Sequence, residues 1–122
     1  MQRDMDLFRE ILLQCETHNH GYAPKVIDVP DYSKEQIDFH IYLLGEAGLL
    51  RTINTTSLSD KSPKAEALNI TNDGYDFIEK TRDPDTWQKT KKVVAEVGVW
   101  TLPILISVAT DIIKQKVSSL VG

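Results

Sequence analysis

The segment from Tyr32 to Leu50 constrains the fold most strongly, because helix signals mark both of its ends. Ser33 and Gln36 have the spacing of a capping box, with Tyr32 and Ile37 placed as the hydrophobic staple around it. Gly48 stands where a left-handed residue commonly ends a helix. The sequence therefore predicts a helix that starts at Ser33 and stops at Gly48. Its buried stripe reads Ile37, Ile41, Leu44 and Ala47, flanked by His40 and Leu43.

The flanking segments predict a mixture of helices and short strands. Apolar residues at helical spacing predict a first helix over about 4–17, and residues 25–29 have the composition of a strand. Residues 49–53 and 67–70 predict the two strands of a hairpin, joined by a polar loop over 54–66. The expected fold class is therefore α+β and mostly helical.

Three further helices are predicted after the hairpin. Residues 71–73 cap a helix that ends at 82–84, and Asp85 with Gln88 has the spacing of a second capping box. That fourth helix ends at Gly98. Thr101 is placed to cap the last helix, which has a broad apolar face from Leu105 to Leu120.

Composition excludes several classes of protein. The chain has 122 residues, one domain's length, with 41% hydrophobic residues, one cysteine and a formal net charge of −4. A wholly disordered chain, a disulfide-stapled secreted domain and a uniformly basic nucleic-acid binder do not fit these values. The start lacks the pattern of a signal peptide, and the most apolar stretch, 97–110, is short for a membrane span. A cytoplasmic protein without a membrane partner is expected.

Several blocks of residues resemble known families. The order of elements is that of a winged helix-turn-helix, and Phe39-His40-Ile41 followed by Ala47-Gly48-Leu49 resembles the recognition-helix block of metal-sensor-like (ArsR-type) bacterial repressors. The opening Arg3 to Leu7, the block Leu68 to Ile78, and Arg82-Asp83 before Trp87 resemble an uncharacterised bacterial and prophage domain family. The resemblance implies a winged-helix domain over 1–83 with a β-hairpin wing, and a C-terminal helical extension over 84–122. It brings no catalytic residues.

Two surfaces are predicted to carry function. The wing offers Arg51, Lys61 and Lys64 for contact with a DNA backbone or minor groove. The exposed face of the recognition helix is acidic and aromatic, which suits base reading poorly and a protein contact better. That face shows Lys34, Asp38, Phe39 and Tyr42, together with Glu35 and Glu46.

Enzymatic and metal-binding functions find little support in the motifs. Cys15, His18 and His20 lie close in sequence but match no common zinc spacing, so a small core cysteine and two polar histidines are expected. His40 on a mostly apolar face is expected to be a packed, hydrogen-bonded core residue. No phosphate-binding loop or nucleophile motif is present, so the protein is predicted to be a non-enzyme without a cofactor.

Two functional hypotheses follow. The first is a small winged-helix regulator of transcription that contacts DNA through its wing. The second is a protein-interaction module, such as a phage or prophage modulator of a host complex, that uses the acidic and aromatic helix face. The apolar last helix either packs on the first helix or forms a homodimer interface.

Overall fold

The computed structural model describes all 122 residues and contains five helices and one two-stranded antiparallel hairpin. In chain order the elements are α1 (Met5–Cys15), α2 (Lys34–Glu46), β1 (Leu50–Asn54), β2 (Ala65–Ile70), α3 (Asn72–Thr81), α4 (Pro84–Val97) and α5 (Leu102–Val121). Contacts divide the chain into two compact units, Met1–Asp76 and Phe77–Gly122. The expectation of a mostly helical α+β chain is confirmed.

Asp4 fixes the start of α1 and joins it to the segment around α2. One carboxylate oxygen, Oδ1, accepts hydrogen bonds from the backbone N–H groups of Asp6 (2.9 Å) and Leu7 (3.2 Å). The other, Oδ2, accepts from the hydroxyl of Tyr32 at 2.8 Å. The backbone N–H of Asp4 itself donates to Nε2 of His40 at 2.9 Å. A single capping residue therefore holds three parts of the first unit together.

Both predicted ends of α2 are confirmed. The Ser33 hydroxyl accepts from the N–H of Gln36, whose side chain accepts from the N–H of Ser33, which completes the capping box. Gly48 follows the helix in the left-handed region, with φ 76°. One detail was wrong: Ala47 is exposed, and the close approach occurs at Gly45, where a Cβ would overlap the side chain of Thr52 on β1.

The hairpin packs on α2 through both of its strands. Leu50 pairs with Ile70 and Asn54 with Ala65, and the register shifts by one residue between Arg51 and Thr52. This bulge puts one extra residue on β2. The loop over 55–64 is shorter than the predicted one, because β1 ends one residue later and β2 begins two residues earlier than expected.

The strand predicted over 25–29 does not form, so that prediction was wrong. The segment has no strand neighbour, and Val26 is 79% exposed. The side chain of Gln14 takes up the backbone groups that a ladder would use, since its amide donates to the carbonyl of Asp28 and its oxygen accepts from the N–H of Asp28. Residues 16–33 contain neither helix nor strand.

The second unit contains α4 and α5, which pack against each other. The predicted cap at Asp85 was wrong, because Asp83 is the N-cap of α4 and accepts from the N–H of Thr86, with Pro84 in the first turn. Gly98 ends α4 in the left-handed region, as predicted. Thr101 is the N-cap of α5 by position but makes no capping hydrogen bond through its side chain. None of the five helices combines the length and apolarity that crossing a bilayer requires.

Candidate functional site

The structure brings most of the predicted site residues together beside the N-terminal half of α2. The loop over 55–64 lies next to that half, and a cleft of about 360 Å³ opens between them. Lys61 and Lys64 line the cleft from the loop, and Lys34 and Asp38 line it from the helix. Arg51 is exposed near the start of β1 and is not among the residues of this cleft.

The loop is ordered by its own short polar side chains. Asn54 Oδ1 accepts from the N–H of Thr56 at 2.9 Å, and the hydroxyl of Thr56 accepts from the N–H of Lys64 at 2.9 Å. Asp60 Oδ2 accepts from the N–H of Ser57 at 2.7 Å, and this hydrogen bond is the main reason that the pKa of the Asp60 carboxyl is lowered. Such hydrogen bonds from side chain to backbone are typical of well-ordered turns.

One hydrogen bond ties the loop to the helix. The hydroxyl of Ser62 donates to Oε1 of Glu35 at 2.8 Å. The loop of the hairpin predicted as a wing is therefore held against α2 at this point.

The cations of the cleft are mostly matched by neighbouring carboxylates. Lys34 Nζ lies 2.7 Å from Asp38 Oδ2, and Lys64 Nζ lies 3.7 Å from Asp60 Oδ2. Lys61 is exposed and makes no ion pair. Pairing of this kind leaves little positive potential for a phosphate backbone.

An aromatic pair occupies the exposed side of α2. The rings of Phe39 and Tyr42 stack with centroids 6.3 Å apart and planes 19° apart, and both residues are half-buried. The hydroxyl of Tyr42 donates to Oε2 of Glu46 at 3.3 Å, and the negative charge of Glu46 raises the pKa of that hydroxyl. The pair therefore presents ring surface next to a carboxylate.

The first unit as a whole is acidic. Residues 1–76 hold seven Lys and Arg against thirteen Asp and Glu, a formal net charge of −6, whereas residues 77–122 hold seven against five, a net charge of +2. The predicted DNA-contacting residues thus lie in the negatively charged unit. This distribution opposes attraction to phosphate at long range.

His40 is a core residue, as predicted. It is 1% exposed, its Nδ1 lies 2.8 Å from the carbonyl of Gln36, and its Nε2 accepts from Asp4. This arrangement requires a neutral ring with the proton on Nδ1. Burial lowers the pKa of His40, which favours this neutral form. Both ring nitrogens therefore make hydrogen bonds within the core.

Cys15 differs in solvent exposure from the two nearby histidines. Cys15 is buried on α1, and burial raises the pKa of its thiol to about 12. His18 and His20 are exposed, with ring centroids 5.9 Å apart. No group of three or more His, Cys, Asp or Glu side chains is arranged to hold a metal ion.

A larger groove, which the sequence did not reveal, runs along the outer edge of β2. It has a volume of about 780 Å³ and lies between residues 22–28, residues 65–68 and the side of α2 that carries Ile37 and Ile41. The only sequence signal was the strand-like composition of 25–29, which instead forms one wall of this groove.

Comparison with known proteins places the chain in a family. A relative from Haemophilus influenzae, named "Uncharacterized protein", is 30% identical over 117 residues, which cover 94% of this chain and 98% of the relative. No solved structure matches the chain. A family model described as "Hypothetical protein (DUF2513)" matches residues 2–100. The expected resemblance to a domain family of unknown function is therefore confirmed, and the chain belongs to the DUF2513 family.

Proposed function

We propose that the protein is a small non-enzymatic regulatory module that binds another protein through the exposed side of α2. This surface, here called the α2 face, consists of Lys34, Glu35, Asp38, Phe39, Tyr42 and Glu46. The observation that carries the proposal is the stacked pair of Phe39 and Tyr42 among carboxylates. Aromatic anchors of this kind are enriched at the centres of protein interfaces.

The proposal includes a winged-helix origin for the first part of the chain. In it, residues 1–83 form a winged helix-turn-helix related to metal-sensor-like repressors, with α2 as the recognition helix, the hairpin as the wing and residues 84–122 as an extension. The order of α1, α2, hairpin and α3 supports this assignment. The long stretch without helix between α1 and α2 departs from the short turn of a DNA-binding helix-turn-helix, which favours a protein-binding use of the scaffold.

A non-enzymatic role is supported by the state of Cys15 and His40, which are both buried. The Cys15 thiol is buried with a raised pKa, which keeps it protonated, and a protonated thiol is a poor nucleophile. His40 has both ring nitrogens engaged in the core and is not available for proton transfer.

Site-specific photo-crosslinking in bacterial cells tests the α2 face. A benzophenone amino acid at position 42 is expected to yield a discrete crosslinked product, because this position lies within the aromatic patch. The same amino acid at Lys92, which is exposed on α4, is the matched control. Phe39→Ala, combined with the probe at position 42, should remove the product while leaving the circular dichroism spectrum unchanged. Equal products from positions 42 and 92 would exclude the α2 face as a specific site.

DNA binding through the wing is the second candidate function. Arg51 and Lys61 favour it, because both are exposed and neither makes an ion pair in the structure. In this reading the protein is a transcription regulator of bacterial or prophage origin, and the wing lies along a phosphate backbone.

Self-association through α5 is also part of the proposal. Near its C-terminal end the helix exposes Val117 (52%), Leu120 (86%) and Val121 (84%). Apolar side chains at this exposure are commonly covered by a partner, and a second copy is the simplest one. Sedimentation velocity of the full chain should show a dimer that Leu120→Glu converts to a monomer. Exposed Leu58→Glu in the hairpin loop, which should leave the dimer intact, is the control.

A further inference from the structure

The groove beside β2 has the size of a binding site and an apolar floor. Its volume of about 780 Å³ falls within the range of ligand-binding clefts in proteins. Ile37 and Ile41 lie at its base, and Tyr22 and Val26, which are 70% and 79% exposed, stand on its outer wall. Ile37 and Ile41 are only 3% and 4% exposed, so the apolar surface that water covers in the free protein belongs to Tyr22 and Val26.

The outer edge of β2 has backbone groups that no strand pairs with, and those of the half-buried Ala67 are open to the groove, whereas Ala65 is only 3% exposed. Thr55 N–H donates to the carbonyl of Lys64, so alternation along an antiparallel ladder directs the N–H and C=O groups of Ala65 and Ala67 away from β1. No other strand pairs with them, since the hairpin has two strands only. Farther along, the carbonyl of Leu68 accepts from the N–H of Ala23 at 2.8 Å, so a neighbouring segment already pairs with one end of the same edge.

The charges around the groove select the kind of segment that fits. Asp28 and Glu66 are exposed and make no ion pair, whereas Asp38 is neutralised by Lys34 at 2.7 Å. Lys25 is the one unpaired cation among the lining residues. The surrounding unit carries a formal net charge of −6, so the local and the long-range fields both favour a cationic ligand.

We propose that this groove binds an extended basic peptide segment of a partner protein, which adds a third strand to the outer edge of β2. The backbone of the peptide pairs with Ala67, its apolar side chains contact Tyr22 and Val26, and its Lys or Arg side chains reach Asp28 and Glu66. Strand addition supplies affinity through main-chain hydrogen bonds, and side-chain pockets supply specificity. The inference goes beyond the α2 face, because it places a peptide of stated chemistry on a second surface of the first unit.

Nuclear magnetic resonance of the full chain tests the proposal with a defined probe. The probe is an end-capped octapeptide of alternating lysine and valine, titrated into ¹⁵N-labelled protein up to about 2 mM, a range that detects dissociation constants weaker than micromolar. A saturable shift of the Ala67 amide is expected. An octapeptide of alternating glutamate and valine should bind at least tenfold more weakly. The lysine peptide with N-methylated valines should not bind, because it lacks half of the backbone donors.

A matched pair of charge-reversed variants locates the site. Asp28→Lys with Glu66→Lys should weaken binding of the lysine peptide at least tenfold. Glu96→Lys with Asp111→Lys changes the net charge by the same amount on exposed positions of the second unit and should leave binding within about twofold. Circular dichroism of both double variants verifies the fold.

Three results overturn the proposal: no saturable shift, shifts that leave Ala67 unaffected, or equal weakening by the two double variants. The absence of a saturable shift would leave the proposal for the α2 face standing, because the crosslinking at position 42 is measured separately. Conversely, the lysine peptide can bind the groove while position 42 gives no specific crosslink. That result would support the groove as a binding site and would exclude the α2 face.

Discussion

At the scale of single residues, His40 shows how a buried polar group determines local structure. Its ring links the N-terminus of α1, through Asp4, to the first turn of α2, through Gln36. Phe8 and Phe39 contact it edge-on, with ring centroids 5.8 Å from its own in both cases. A protonated ring would present a second N–H toward the N–H of Asp4, so the network holds only with neutral His40.

His40 therefore makes the stability of the fold depend on pH. Because burial lowers its pKa, the unfolded chain takes up a proton at a higher pH than the folded chain. The stability that neutral His40 supplies is complete above a pH of about 6.5 and is lost as the pH falls through the pKa of the folded state. His40→Leu leaves the Asp4 N–H unpaired and should lower the free energy of unfolding by about 1–3 kcal/mol at pH 7.5.

Urea unfolding of both proteins at pH 7.5 and pH 5.5 measures this effect. The difference in stability between the natural chain and His40→Leu should shrink at the lower pH, because only the natural chain loses the contribution of the neutral ring. A difference that is constant or grows toward pH 5.5 would show that His40 does not titrate in this way.

At the scale of elements, glycines determine how α2 and α3 join the hairpin. Gly48 turns the chain from α2 into β1 with a positive φ, and open space surrounds its missing Cβ. Gly74 lies in the first turn of α3, where a Cβ would overlap the backbone carbonyl of Leu49. The two glycines are needed for different reasons, one for conformation and the other for close approach.

The two alanine variants should therefore differ in cost. Gly48→Ala should lower the free energy of unfolding by about 1 kcal/mol, since only backbone strain is added. Gly74→Ala should cost more, about 2 kcal/mol or above, because backbone and not a flexible side chain has to move. Chemical denaturation with Gly21→Ala as the neutral control compares them. Equal costs at positions 48 and 74 would contradict the steric argument.

Sequence patterns located most elements because the deciding interactions are local. The capping box of Ser33 and Gln36 and the stop at Gly48 involve neighbours in the chain, and both were predicted correctly. The strand over 25–29 failed for a non-local reason, since Gln14 on α1 takes the backbone groups of Asp28. Local propensity does not reveal such a competitor.

The N-terminus of α4 is stabilised by a local cap and by a lysine from α5. Asp83 caps the helix, and Lys116 on α5 lies 2.6 Å from Asp83 and 3.1 Å from Asp85. Hydrogen bonds from Lys116 and Thr86 hold the pKa of the Asp83 carboxyl well below its usual range. Asp83→Ala removes both the cap and the ion pair and should lower the melting temperature clearly more than Asp85→Ala, which removes ion pairs alone. Thermal melts followed by circular dichroism compare the two; an equal or larger effect at Asp85 would restore the cap predicted from sequence.

At the scale of the whole molecule, charge is divided unevenly along the chain, and this division bears on function. The candidate site was identified in part from sequence, because Phe39 and Tyr42 lie on the polar side of a predicted helix. The position of the loop was not, since the bond from Ser62 to Glu35 joins residues 27 positions apart. The groove beside β2 also depends on three segments that meet only in the folded chain. Composition gave the total charge, but the fold determines which cations remain unpaired.

The salt dependence of DNA binding separates the two candidate functions. The first unit has a net charge of −6, and two of its lysines beside α2 are paired with carboxylates, so we expect affinity for random-sequence duplex DNA to be weaker than about 100 μM at 0.15 M salt. Fluorescence anisotropy across a salt series measures it, with Lys61→Ala and Lys64→Ala as the test variant and Lys89→Ala with Lys92→Ala as the charge-matched control. Micromolar affinity with a steep salt slope, reduced by the first pair and not by the second, would instead establish the wing as a DNA contact and make the acidic α2 face secondary. Weak binding that neither pair alters would leave α2 and the groove beside β2 as the surfaces on which this protein recognises its partner.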